Sequence, residues 1–366
     1  MKQDVALRVL GEIMNWSADD AREEFAWLNL MSRMKYDTYR DFVAGVRFVE
    51  SLADWLQQFE QDERRHAYDF VRKCLVYVSP PEMYHLVELV YPEVVQRRLL
   101  GTVAVRSGVP RYLIWAHEDA RLAYRSLLRK TLFLGLSDGA RMDTFRRSNA
   151  GVVNNEQVVV ATELEDTKWD SLRKALREST GDSGALFEII FLIDDFVGSG
   201  KTLIRPANGA WDGKLAKFVK GNEKRRGQHF VQDPVVCVHH YLASHAASLA
   251  LSEAAQNAAN SNTDQWFPAV EFTFGMILPA DLTVTSERYP DFIRLVERCY
   301  DPSIQSTHTS VGGTEDVKLG FGNCALPLVL EHNTPNNSIA LLWADTEGGD
   351  GKHAMRPLFR RRQRHV

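Results

Sequence analysis

The residues of this chain best placed to do chemistry are two adjacent acids followed closely by a glycine-rich turn: Ile189 to Leu203 reads IIFLIDDFVGSGKTL. Neighbouring carboxylates repel each other, and at the edge of an apolar core they need hydroxyls or a metal to satisfy them. A ribose diol meets that need. Beyond Asp194 and Asp195 comes Gly198-Ser199-Gly200-Lys201-Thr202. Its glycines can take positive φ and turn several backbone N–H groups toward one point. The next residues read as the start of a helix, whose amino end favours an anion by ~0.3–1 kcal/mol when exposed. Ser199 and Thr202 offer hydroxyl donors, and the short cup suits a monophosphate. The chemistry indicated is the binding of a phosphorylated sugar.

A nucleoside-triphosphate loop is the competing reading, because Gly200-Lys201-Thr202 supplies the end of a Walker A motif. That motif requires a glycine five positions before Gly200, and Asp195 stands there. A carboxylate at that point repels a polyphosphate. An ordinary polar turn accounts less well for two acids, two glycines and hydroxyls meeting at one strand end.

These groups need elements to position them. Ile189 to Ile193 is a continuous apolar run, the pattern of a parallel strand buried on both faces. Asp194 and Asp195 then fall at its carboxyl end, where open α/β sheets bind ligands. Thr131 to Leu136 and Val235 to Val238 are further short apolar runs, and Val270 to Leu278 reads as a further strand. Leu172, Ala175 and Leu176 share one face of a helix over Trp169 to Ser179, and His245 to Asn257 also has helical spacing. Short apolar runs alternating with helices predict a doubly wound sheet.

The run Ile190-Phe191-Leu192-Ile193, Asp194-Asp195, Phe196-Val197, Gly198-Ser199-Gly200-Lys201-Thr202 resembles the signature of type I phosphoribosyltransferases. The resemblance implies an α/β fold, a parallel sheet flanked by helices. It implies that Asp194 and Asp195 are the catalytic pair and bind the ribose 2′ and 3′ hydroxyls of phosphoribosyl pyrophosphate. Gly198, Ser199, Gly200, Lys201 and Thr202 then hold the 5′-phosphate, with Lys201 at the variable position facing solvent. Mg²⁺ is the implied cofactor, held mainly through the ligand, with Asp194 and Asp195 as its protein side. The family carries a pyrophosphate loop after an early strand, and here that position is Ser137-Asp138-Gly139-Ala140-Arg141. A glycine turn backed by an arginine can supply donors and a cation to pyrophosphate. Asp138 departs from the pattern, and a plain turn before a helix explains the segment equally well. Arg146 to Gln157 is the candidate for the family's mobile flap, with a solvated loop as the alternative.

The rest of the chain is less specific. Leu7, Leu10, Ile13 and Met14, then Phe42, Val46, Val49, Leu52 and Leu56 recur at helical spacing, so residues 1–108 are read as an all-α partner or regulatory domain and 109–366 as the α/β domain. The aromatic residues Trp16, Trp27 and Trp55 read as core. Arg205 to Asp233 reads as an exposed charged insertion. Glu331 and His332, after an apolar run from Cys324 to Leu330, are candidate proton carriers or simply turn residues before a strand at Ser338 to Trp343. A formal charge of −4 argues against a dedicated nucleic-acid binder, although Lys220 to Gly227 and the tail from Arg356 to Arg364 are locally basic. Cys74, Cys237, Cys299 and Cys324 lack metal-ligand spacing, and no secretory or 18-residue apolar segment is evident, so a soluble cytoplasmic protein without membrane contact is expected.

The helical region and insertions set the chain apart from compact nucleobase-salvage enzymes. The whole resembles the divergent phosphoribosyltransferase-like proteins of bacterial conflict and antiviral defence loci. That resemblance implies a nucleotide, nucleic acid or protein as acceptor, and a protein partner for the helical domain. A non-catalytic sensor of a nucleotide or of phosphoribosyl pyrophosphate is the alternative.

Overall fold

The computed structural model describes residues 3–261, 267–306, 309–349 and 353–361. Among them the strands are β1 (Val76–Val78), β2 (Thr131–Gly135), β3 (Val158–Val159), β4 (Phe187–Val197), β5 (Arg205–Ala207), β6 (Ala210–Asp212), β7 (Phe230–Ala243), β8 (Val270–Ile277) and β9 (Leu328–Leu330). The chain divides into one unit of residues 84–278 and another made of residues 1–83 with 279–366.

The 84–278 unit holds a five-stranded sheet in the order β3-β2-β4-β7-β8, and every neighbouring pair is parallel. The α/β class with a parallel sheet flanked by helices is therefore as the sequence predicts. β4 is central because its apolar run leaves no polar face to expose: Ile189 through Ile193 are all buried. Alternate residues then sort to two sides. Leu132, Leu134, Ile190, Leu192, Val236 and Val238 share a core with helices Asp166–Thr180, Lys214–Asn222 and His245–Ala259. On the other side Phe133 stacks on Phe191 at 5.5 Å and meets Phe145 of helix Met142–Ser148 at 5.0 Å.

Chain order decides where a ligand fits. From β2 the chain goes to β3 on one side and then returns to β4 on the other, so strand order reverses between β2 and β4. Open α/β sheets bind ligands outside the carboxyl ends of strands at such a switch point. Ser137 follows β2 there, and Asp194 and Asp195 lie in the last turn of pleat of β4.

Several expectations change. The region Arg205 to Asp233 is built structure: β5 and β6 form a hairpin whose turn, Asn208-Gly209, has φ of 51° and 78°, the left-handed pair that suits a two-residue hairpin. Helix Lys214–Asn222 then buries Leu215, Phe218 and Val219. Arg225 is also buried, over the Trp169 ring and paired with Asp166. In the candidate flap, Asn149 donates to the Phe145 carbonyl and buried Gln157 donates to the carbonyls of Leu128 and Thr131. Those bonds anchor both ends of that stretch.

The other unit has one core drawn from both chain ends. Leu10, Leu52, Trp55 and Tyr68 pack in the same cluster as Phe292, Leu341 and Phe359. Phe70 stacks on Phe292 at 3.7 Å, and Trp55 Nε1 donates to the Leu341 carbonyl at 2.7 Å. β1 pairs in parallel with β9. A division at residue 108 does not coincide with these units, because Gly108 caps helix Gln96–Ser107, which lies within 84–278. Helical periodicity shows that a face is buried and says nothing of which core covers it.

Candidate active site

Three segments meet at the switch point, and the backbone explains how. Along β4 adjacent side chains point to opposite faces, so the two acids are separated rather than side by side. Asp194 is 4% exposed. Its carboxylate accepts from the Ser137 hydroxyl, from Lys214 Nζ at 2.7 Å, and from the Asp195 backbone N–H at 3.1 Å. Asp195 lies over Gly139: a Cβ built there would stand 2.3 Å from Asp195 Oδ2. Only glycine lets that turn approach the carboxylate so closely.

The Ser137 to Arg141 turn is held from below. Ser137 Oγ accepts from the Gly139 N–H at 3.2 Å, and Arg141 adopts φ 48°, ψ 41° to start helix Met142–Ser148. The buried Tyr241 hydroxyl donates to the Ala140 carbonyl. Asp138 is exposed, and Arg141 lies over the Tyr84 ring at 5.6 Å. This segment, placed in the sequence by the family resemblance together with chain order and turn chemistry, is in direct contact with the acid pair through Ser137 and Gly139.

The glycine-rich segment forms a bend and turn without the helix expected behind it. Gly200 takes φ +74°, and its carbonyl accepts from Leu203 and Ile204 at 2.9 and 3.0 Å. Gly198 accepts from the Ser244 hydroxyl. Pro206 and the Asn208-Gly209 turn divert the chain into the hairpin before a helix can start. The helix dipole assigned to this loop is therefore absent directly after it, and helix Lys214–Asn222 docks instead: Lys214 N–H donates to the Thr202 carbonyl at 3.0 Å and Leu215 N–H to that of Leu203 at 2.9 Å. Ser199 and Lys201 are half-buried, and Thr202 is exposed.

Electrostatics set the charge states. Burial, reinforced by the neighbouring Asp195 charge, pushes the Asp194 carboxyl up to about 6, opposed by Lys214 and the Ser137 hydrogen bond. His240, in register with Asp194 on β7, is driven down to about 3, chiefly by burial. It is a neutral imidazole at neutral pH. Lys214, His240 and Tyr241 were not singled out in the sequence. The two β7 residues were within reach, since they follow the apolar run Val235–Val238 and so reach the same sheet end as Asp194. Nothing local marks Lys214, which the hairpin brings back over twenty residues.

Among the described residues no group of three or more His, Cys, Asp or Glu side chains is disposed to hold a metal. Asp194 already carries an ammonium and a hydroxyl. Hard divalent cations commonly use one or two carboxylates and complete their shell with substrate phosphates and water. The acid pair suits that shared arrangement rather than a cage made by protein alone.

The PRTase-CE family model matches residues 52–361, which covers most of the chain and includes all of these segments. The chain belongs to the PRTase-CE family. It is thus a phosphoribosyltransferase-like protein, in agreement with the signature around Asp194. No curated protein and no solved structure matched the chain. The PRTase-CE match also reaches both structural units, so Glu331 and His332 fall inside it. They lie in the unit of residues 1–83 with 279–366, where fully buried Glu331 pairs with Arg40 at 2.8 Å and His332 approaches Glu331 at 3.4 Å. Leu328–Leu330 is the only strand-forming part of the expected Cys324 to Leu330 run, and Ala340–Leu342 is a helical turn instead of a strand. In the basic tail Arg356 pairs with Asp54 at 2.7 Å and Arg360 with Asp345 at 3.4 Å, while Arg362 and Arg364 lie outside the described residues.

Proposed function

We propose that the β2/β4 switch point binds phosphoribosyl pyrophosphate and that the chain transfers its phosphoribosyl group to an acceptor. The observation that supports this reading is the contact of Ser137 and Gly139 with Asp194 and Asp195, which brings the Ser137 to Arg141 turn against the two acids. In this reading Asp194 and Asp195 orient the ribose, the Gly198 to Thr202 bend receives the 5′-phosphate, and the Ser137 to Arg141 turn receives pyrophosphate. Lys214 ties the phosphate bend to Asp194, with its backbone on Thr202 and its ammonium on the acid. Asp194 and Asp195 would form the protein side of a Mg²⁺ site, and the ion, when bound, would supply positive charge to the pyrophosphate group. As C1–O cleaves, the two electrons leave with pyrophosphate and the acceptor's lone pair forms the new bond at C1.

The acceptor class, a nucleotide, nucleic acid or protein, and a role in antiviral defence belong to the same proposal, as does a partner protein for the helical region. Four free cysteines accord with a reducing cytoplasm, and among the described residues no helix is long and apolar enough to cross a membrane. Pyrophosphate release from phosphoribosyl pyrophosphate, followed with nucleotides and with cell lysate as acceptor source, tests turnover. Release that disappears in Asp195→Asn supports transfer. Tight binding without release favours the sensor, and neither binding nor release refutes both.

A further inference from the structure

We infer that the unit of residues 84–278 holds a second binding site, for a small uncharged aromatic heterocycle, between the face of β4, β7 and β8 and the helical segment Leu86 to Arg98. The cavity measures about 780 Å³, within the ~300–1,000 Å³ of small-molecule pockets. None of the acid-pair, turn or phosphate-bend residues lines it.

Its roof follows from one residue. Pro92 has no N–H to give to the carbonyl four residues back, and its ring crowds that turn. The helix widens into a π turn over Val90–Val95, a feature frequent at functional sites. Leu86, Leu89 and Val94 then face a floor of Phe191, Cys237 and His239. The ionic side chains at this cavity are matched with each other: Arg98 pairs with Glu271 at 3.0 Å and Arg97 with Glu93. The site thus favours a neutral ligand.

His239 supplies the polar anchor. It is 1% exposed, its Nδ1 lies 3.0 Å from the Thr273 hydroxyl, and its Nε2 has no hydrogen-bond partner among the described residues. Buried polar atoms are paired in the great majority of cases. Burial lowers this imidazole to about 4, so it is neutral. If Thr273 donates to Nδ1, Nε2 carries hydrogen and needs an acceptor; in the other tautomer it needs a donor. A flat ring with both N–H and a lone-pair nitrogen satisfies either state.

The anchor also touches the acid site's support. Residues two apart on a strand share a face, and the rings of His239 and Tyr241 meet edge to face at 5.8 Å. Tyr241 in turn holds the Ala140 carbonyl.

The test is calorimetric titration of the full chain with benzimidazole and with indane, its hydrocarbon counterpart of similar shape. Benzimidazole is expected to bind saturably and about tenfold or more tighter than indane, and His239→Phe should remove that difference. Leu89→Trp fills the cavity from its half-buried rim and should abolish binding without touching the histidine. Equal affinities, no saturable binding, or unchanged affinity in either variant overturns the proposal.

Discussion

Replacing Asp194 with Asn should alter how stability depends on pH in a way that can be worked from the site. The native carboxyl holds its proton up to about 6, against an ordinary value of 3.8. Between those values the folded state binds more protons than the unfolded state, so stability must fall as pH rises through the window and level off above it. A shift of roughly two pH units corresponds to on the order of 3 kcal/mol. Asparagine keeps the shape and cannot titrate. Lys214, whose side chain is 36% exposed, can turn to water when its partner loses charge. Urea unfolding of both proteins across pH 4 to 7, at about half-unit steps, isolates the group as a difference curve. The variant should gain relative stability with rising pH by up to that amount, with the change centred below about 6. Parallel curves would mean that burial does not hold the Asp194 carboxyl protonated up to about 6. A downward difference would mean that Lys214 more than offsets burial.

Other perturbations probe neighbouring contacts. Gly139→Ala puts a methyl where Asp195 Oδ2 lies 2.3 Å away, so thermal stability should change little while affinity for phosphoribosyl pyrophosphate falls by about tenfold or more, the worth of a charged hydrogen bond. Lys214→Met removes the cation opposing the Asp194 shift, and the pH-dependent step in unfolding should move to higher pH. Gly213→Ala is strained at φ +111° and places its Cβ 2.4 Å from the Leu203 carbonyl; denaturant unfolding should show a loss of about 1–3 kcal/mol.

Legibility followed the range of the forces involved. The sheet's central strand could be read because burial on both faces writes itself into consecutive residues, as in Ile189 to Ile193. The Ser137 to Arg141 turn could be located because the family places a loop after an early strand and a glycine turn backed by an arginine stands there, and parallel strands then bring it to the carboxyl end of β4. The hairpin was missed although its determinants, Pro206 and Asn208-Gly209, are local, because the following charges of Lys220 to Arg226 looked like a solvated loop. Of those charges only Lys220 lies on the helix that buries Leu215, Phe218 and Val219, while Glu223 to Arg225 form a further helical turn in which Arg225 is buried. Lys214 could not be read, since its meeting with Asp194 depends on the complete path of the hairpin. The joint core of Trp55 with Leu341 and Phe359 was equally invisible, because periodicity marks an apolar face without naming its partner.

If the proposed function holds, the acid pair, the Ser137 turn and the glycine bend act together as one phosphoribosyl site. Calorimetric titration of phosphoribosyl pyrophosphate with Mg²⁺ into the wild type and into Asp194→Asn/Asp195→Asn tests it most directly. The wild type should bind saturably and one to one, and the variant should stay folded and lose that binding. Equal affinity in the two proteins, or no heat of binding in the wild type, would contradict it.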